Sequence, residues 1–499
     1  MTKKRIISAL LLAAMLTTPI LTACSETTQQ DSPDTAPSGS DTSAAAGESE
    51  SESDEANLLA QIEKKDYNGY EFNYLALETG INGTTRFVDE MWVEEDSAEV
   101  ILSATYNRNL FLAEQMNVNI AVTPVSDVAG TIRTSVSSGD NSYDMAGAYK
   151  PDSLTLALEG NVRDWNTLDI DYAQPWWSQG AVEKLRVQDY QFLMSGNILI
   201  SEIDDTLAMV YNKDIGEEYN LEDVYSLVLE NKWIIDKFME LTSVVSDDLD
   251  GNGEMDVGTD LFGYVQDPAS MTNNWFFSSD LMNSYVDEDG AFHFNVDTER
   301  VQGMLDKLSP YFKTDNVYSG LDLYKGLVFF EEDKIYMYAI ILRNVELLRN
   351  MESDFGVIPY PMYDEVQGRY LTHVGSASPI LTIPLLNTED DERLSDILEA
   401  MAISSRQYLL PAYYETALKE KMARDPETAT MLDIIVDNKT YDITYLLGIG
   451  LINSASGLIK SGSTNFASSW AKTSGRNEKI AQKSFDKLIE AGKKQEILG

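Results

Sequence analysis

The sequence predicts an α/β fold with a largely parallel sheet, and three observations carry that prediction. Strand-like and helix-like segments alternate from residue 70 to 149, the order that a parallel sheet with crossover helices requires. The same alternation resumes in the middle of the chain. Residues 58–499 are also long enough to form two domains of ordinary size.

Taken in order, residues 70–77 (Tyr-Glu-Phe-Asn-Tyr-Leu-Ala-Leu) alternate and are rich in aromatics, as a strand requires. Asp96-Ser97-Ala98-Glu99 reads as a capping box that opens a helix running to Met116. Residues 119–122 read as a second strand, 131–138 as a helix ended by Gly139-Asp140, and 143–149 as a third strand. Strands are then expected at 190–200 and 206–211, with helices at 233–244 and 298–312. Residues 334–342 form a strongly apolar strand, and 355–359 another, which its prolines place at a lobe edge. From 389 the pattern is mainly helical through 405 and 423, and again from 477 to 491. There is no repeat of solenoid length. The most apolar late stretch, 445–452, is broken by Gly448 and Gly450 and is too short to span a membrane.

The amino terminus has its own logic. Lys3, Lys4 and Arg5 precede an uncharged apolar run over 6–16, and Leu21-Thr22-Ala23 then leads into Cys24. The run falls short of the about 20 residues of a membrane-spanning helix and reads as a cleaved secretory signal over 1–23. The tetrad ending at Cys24 resembles the lipobox of bacterial lipoproteins. That resemblance implies a diacylglycerol on the Cys24 thiol, cleavage just before it, and acylation of the new terminus. Two or more acyl chains hold a protein stably on a membrane, so the expected location is the external face, lipid-anchored. Cys24 is the only cysteine of 499 residues, which excludes an intramolecular disulfide and any cysteine-rich metal site. Residues 24–57 continue as a spacer with no Lys, Arg or aromatic, a composition that cannot bury enough apolar surface to fold. The net charge of −45 argues against a nucleic-acid partner and suits solubility on an external surface.

Several segments further along resemble the extracellular solute-binding proteins of ABC importers, in particular the large lipoprotein members related to maltose-binding proteins. The matching residues are 174–177 (Gln-Pro-Trp-Trp), Gly196, 206–214 (Thr-Leu-Ala-Met-Val-Tyr-Asn-Lys-Asp), 232–238, 248–253, 334–338 and 355–361. The resemblance implies a type II periplasmic-binding-protein fold, two α/β lobes joined by crossing strands, with the solute held in the cleft as the lobes close. It assigns 58–205 and 336–380 to the first lobe and 206–335 and 381–499 to the second. It implies a monomer that hands a small solute, expected to be a sugar or oligosaccharide, to the transmembrane subunits of a permease. Peptides and polyamines stay open as alternative solutes.

Clefts for small ligands have apolar walls and a few placed polar groups, and sugars add a demand for aromatic faces, carboxylates and amides. Asp204 and Asp205 stand just before a crossing strand, and the resemblance puts an acid facing the cleft at Asp205. Asn273, Asn274 and Trp275 lie where the family often stacks a sugar; a core tryptophan is the competing reading. Tyr149 and Lys150 follow a strand of the first lobe, and α/β sheets place ligand contacts at carboxyl ends. Arg343 follows the returning strand and can fork to a hydroxyl pair or a carboxylate, or form a hinge salt bridge. Trp176 and Trp177 are expected to pack a lobe surface.

Residues 248–256 resemble an EF-hand or dockerin calcium loop, with Asp248, Asp250, Asn252, Glu254, Asp256 and Asp260 as candidate ligands of a structural Ca²⁺. Position twelve is Thr259, and the acid comes one residue late at Asp260. No cofactor is otherwise required. A catalytic constellation is not evident: there are two histidines, His293 and His373, and neither a His-Glu-x-x-His nor a Gly-x-Ser-x-Gly motif. The chain is therefore read as a binder and not an enzyme. A glycan-binding sensor or adhesin, or a secreted glycoside hydrolase using two carboxylates, is the alternative.

Overall fold

The computed structural model describes residues 58–498, except 81–83, 85, 270, 282–283, 388–389, 423–424 and 426. All of these belong to one unit, Ser51–Gly499. The signal segment, Cys24 and the whole acidic spacer lie outside the described residues.

The first sheet grows from the strand Tyr70–Leu77, paired in parallel with Val118–Val125 along all eight residues. Two parallel neighbours need a crossover, and the helix Val100–Met116 supplies it. The helix Val128–Ser138 makes the next crossover; Asp127 caps its start, and Gly139 ends it in the left-handed conformation. Met145–Tyr149 then pairs in parallel on the other side of the first strand. Pro379–Thr382 closes the sheet, antiparallel to Met145–Tyr149. Alternation along Tyr70–Leu77 sends Phe72 and Tyr74 into one core and Leu75 and Leu77 into another, so both faces of this sheet are covered.

The second sheet has six strands. Ile335–Ile341 lies at its centre, antiparallel to Leu207–Asn212 and parallel to Leu261–Gln266. All seven of its residues are buried, as expected of an apolar run covered on both faces. Phe355–Ile358 forms the edge beyond Leu207–Asn212, in keeping with the prolines that follow it. Helices Ile235–Ser243, Thr298–Tyr311 and Leu323–Glu331 cover this sheet and share its core.

Three expectations are corrected. The capping box does not form: Glu99 is the N-cap residue, with no side-chain cap, and Asp96 instead accepts the Ser97 N–H at 2.9 Å and the Ser103 hydroxyl at 2.7 Å. Residues 190–200 are not a strand. The segment is buried throughout and bridges three separate places, at Val187–Tyr190, Trp177–Gly196 and Met194–Leu381. Its backbone groups are satisfied by scattered partners instead of one ladder.

The third correction concerns the lobe boundaries. Residues 335–358 belong to the second sheet, because pairing with Leu207–Tyr211 buries the central strand. The chain rejoins the first sheet only at Pro379–Thr382. Nor is 381–499 all second lobe. The 32-residue helix Asp391–Met422 runs about 48 Å at 1.5 Å per residue. It buries Leu394, Ile397 and Leu398 in a first-lobe core, and Leu409, Leu410 and Tyr413 in the second-lobe core. Phe485, Leu488 and Ile489 of the last helix, Phe466–Leu498, return to the first lobe. No described helix is long and apolar enough to cross a membrane.

Candidate functional site

Between the two sheets, beyond the carboxyl ends of Tyr70–Leu77 and Ile335–Ile341, lies a cleft of about 280 Å³. First-lobe residues Arg86, Phe87 and Ser378 line one wall, and Tyr324, Arg343, Asn344 and Glu346 the other. The short helical turn Ser201–Asp204 and Asp205 close the floor, where the chain passes into the second sheet. A second space of about 460 Å³ shares Thr84, Arg86 and Glu346 and continues towards Val100 and Thr416. Open α/β sheets bind ligands at this end of their strands.

Asp205 organises the floor. Arg343 donates Nη1 to its Oδ1 at 2.7 Å, and the Ala377 N–H donates to its Oδ2 at 3.1 Å. The Gly375 N–H donates to the Asp205 carbonyl at 2.8 Å. A Cβ on Gly375 would stand 2.3 Å from the Asp205 carboxylate, so only glycine permits this approach. Asp205 is 4% exposed, whereas the Arg343 side chain is 31% exposed and offers its remaining donors to the cleft. Beside it Asp204 pairs with Arg86 at 3.3 Å. Burial pushes the Asp204 carboxyl up to about 6, against the pull of Arg86. Asn344 is 3% exposed, and its Nδ2 has no hydrogen-bond partner among the described residues. Tyr324 on the rim is 49% exposed, a free aromatic face. The cleft therefore offers alternating charges, an unsatisfied amide donor and an aromatic ring, which suits a neutral ligand rich in hydroxyls.

Of the residues predicted from sequence, Asp204, Asp205 and Arg343 meet here. Arg343 does form the salt bridge, and Asp205 is its partner. Tyr149 stands behind the wall, with its ring edge-on to Phe87 at 6.3 Å. Lys150 does not face the cleft. It is buried beneath it, paired with Glu202 at 3.2 Å and donating to Ser378 Oγ at 2.5 Å and the Gly375 carbonyl at 3.0 Å. Glu202 also accepts the Ser195 hydroxyl. Lys150 thus braces the turn that holds Asp205, because a buried ammonium needs a counter-charge and hydrogen bonds.

Trp275 is fully buried, against Phe238, Tyr264, Phe312 and Tyr360, and donates its indole N–H to Gln266 at 3.2 Å. No sugar can stack on it, and the core reading is the correct one. Asn274 accepts the His373 N–H at 3.0 Å, and Asn273 donates to the Tyr445 hydroxyl at 3.1 Å, both away from the cleft lining. Trp275→Phe is expected to destabilise the protein by about 2 kcal/mol through lost contacts and the lost N–H bond. Solute affinity should be unchanged, as paired chemical melts and titrations would show. Trp176 and Trp177 are buried and both donate to Glu399, at 2.7 and 3.0 Å, in line with the packing expectation. His373 is buried in a stack with Phe277, and burial pulls its imidazole down to about 3. His293 pairs with Asp287 at the surface. Sequence reasoning missed Arg86, Phe87, Tyr324, Asn344 and Glu346. Asn344 and Glu346 follow directly on the predicted returning strand; Tyr324 carried no signal.

Away from the cleft, carboxylate oxygens of Asp248, Asp250 and Asp260 lie within 4.8 Å of one another. Gly251, at φ +69°, makes the tight turn between them. Asp260, one residue past position twelve, supplies the third carboxylate and also accepts the N–H groups of Leu249 and Asp256. Three converging carboxylates fit one hard cation. Asn252 instead turns its Oδ1 to the Glu254 N–H, and Glu254 and Asp256 stand outside the carboxylate group.

No family model and no curated protein matches the chain. Among solved structures it is similar to an ABC substrate-binding protein from Listeria monocytogenes in complex with cycloalternan, at TM-score 0.44 and 12% identity, covering 86% of this chain and 100% of that one. It is similar to RafE from Streptococcus pneumoniae in its apo form, at TM-score 0.49 and 13% identity, covering 83% and 98%. It is also similar to the maltose/maltodextrin-binding domain MalE from Bdellovibrio bacteriovorus bound to maltotriose, at TM-score 0.44 and 12% identity, covering 85% and 99%. At these scores the likeness carries no argument about ligand or role, which rest on the cleft itself.

Proposed function

We propose that this chain is an extracellular solute-binding protein that captures a sugar or oligosaccharide and delivers it to the permease of an ABC importer. The observation that carries the reading is the cleft between two sheets, with Asp205–Arg343 on its floor, the unsatisfied Asn344 amide in its wall and Tyr324 on its rim. Hydroxyls of a sugar can both donate to the carboxylates and accept from the guanidinium and amide, and a pyranose face can lie on Tyr324. Lipidation at Cys24 would tether the protein outside the cell, and a calcium ion held by Asp248, Asp250 and Asp260 would brace its loop.

The test is a thermal-shift panel of mono- and oligosaccharides, peptides and polyamines, with and without calcium. A ligand at a hundred times its dissociation constant adds about 2.7 kcal/mol to the native state. A saturable shift with one sugar class, recovered unchanged, is the expected result, together with a further upward shift from calcium. A shift only with a peptide or polyamine would sink the carbohydrate reading. One observation favours a second reading: Asp204, raised to about 6 beside a second carboxylate, has the protonation of a general acid. A sugar returned cleaved would establish that reading instead.

A further inference from the structure

We propose that a crevice beside Trp176 and Trp177 is a second binding site, for a small carboxylate anion, with the Lys439 ammonium as its counter-charge. The crevice measures about 180 Å³, against the roughly 30 Å³ that a water molecule occupies in the liquid. It is separate from the cleft, with no lining residue in common. Lys439 lines it at 4% exposure, and its ammonium has no hydrogen-bond or ion-pair partner among the described residues. The carboxylate whose field it feels most is that of Glu202, but Glu202 is already paired with Lys150 at 3.2 Å and accepts the Ser195 hydroxyl. Glu202 therefore serves Lys150, and among the described residues no carboxylate forms an ion pair with Lys439. Asp437 on the crevice wall stands 3.8 Å from Arg406 and is half exposed. An unpaired buried charge is costly, and an anion taken up from solvent removes that cost.

The chemistry of the walls narrows the class of anion. Both indole N–H groups are committed to Glu399, so the tryptophans offer ring surface and no donors. Val436 adds a further apolar wall, while Ser178, Gln179 and Asn197 are the neutral polar residues that line the crevice with Lys439. A short carboxylic acid, with one charged end and one apolar end, matches this lining. The walls also come from different places. Trp176 and Trp177 belong to a first-lobe core and Val436 to the second-lobe core, so an occupant would brace the junction of the lobes.

The probe is acetate, titrated at constant ionic strength with a bulky sulfonate as the balancing anion. The melting temperature of the wild-type protein should rise saturably. Lys439→Met, which keeps the bulk and removes the charge, should melt higher without acetate and show no response to it. Val436→Leu keeps the ammonium and fills the crevice; it should weaken the acetate response at least tenfold, and it decides the matter if the Lys439 variant does not fold. Absence of a saturable wild-type shift overturns the proposal. So does an undiminished shift in either folded variant, which would put acetate elsewhere.

Discussion

Asp205→Ala is expected to reduce solute affinity by roughly 100-fold while leaving a folded protein. Asp205 is a positioning residue, since it is nearly buried and acts through what it holds. One oxygen fixes Arg343 of the second lobe, and the other fixes the Ala377 N–H on the turn entering the first sheet. Truncating one partner of a hydrogen-bonded charge pair costs about 2–5 kcal/mol, and because Arg343 keeps some access to water the lower half of that range applies. About 3 kcal/mol corresponds to roughly a hundredfold in dissociation constant. Asp205→Asn keeps an acceptor for Ala377 but loses the charge, so it should fall between the two. Calorimetric titration with the sugar identified by the panel measures the loss, and circular dichroism reports folding. An affinity within threefold of wild type in a folded Asp205→Ala protein would remove this residue from the site.

The strand Ile335–Ile341 was legible because a seven-residue apolar run flanked by charges has few other uses, and it lies at the centre of the second sheet. Residues 190–200 have a similar composition but thread through the core, and no one-dimensional pattern separates a buried ladder from buried irregular backbone. Asp204, Asp205 and Arg343 were legible because they flank strands that cross between the lobes. Trp275 was misleading, since neighbouring asparagines are as compatible with a core tryptophan as with a sugar platform. Arg86, Tyr324 and Asn344 come from three elements far apart in sequence, and only the packing of the lobes brings them together. The lobe boundaries failed for a related reason: the helix Asp391–Met422 is one continuous pattern in sequence but serves two cores in space.

Glu90→Gln is expected to stabilise the protein at pH 8 and to flatten its stability between pH 6.5 and 8. Glu90 is fully buried and accepts two bonds from Ser201, from its N–H at 2.7 Å and from its hydroxyl at 2.7 Å. Burial pushes its carboxyl up to about 8 from 4.5, while Ser201 and Arg86 pull the other way without prevailing. In this range the folded state keeps a proton that the unfolded chain has already released. Stability from this group is therefore complete below pH 4.5 and is lost as pH rises towards 8, by at most about 5 kcal/mol at 1.36 kcal/mol per unit. Glutamine cannot ionise, and its amide can still accept from the Ser201 N–H and donate to the hydroxyl.

Asp204 and His373, both buried and strongly shifted, leave this window clear. Asp204, raised to about 6, loses its contribution between pH 3.8 and 6. His373, lowered to about 3, acts with the opposite sign: its contribution is complete above 6.5 and is lost as pH falls. Urea midpoints at pH 6.5 and 8 for both proteins measure the effect. A wild-type midpoint that is level or rises over this interval would disprove it, as would a Gln variant that falls as steeply as wild type.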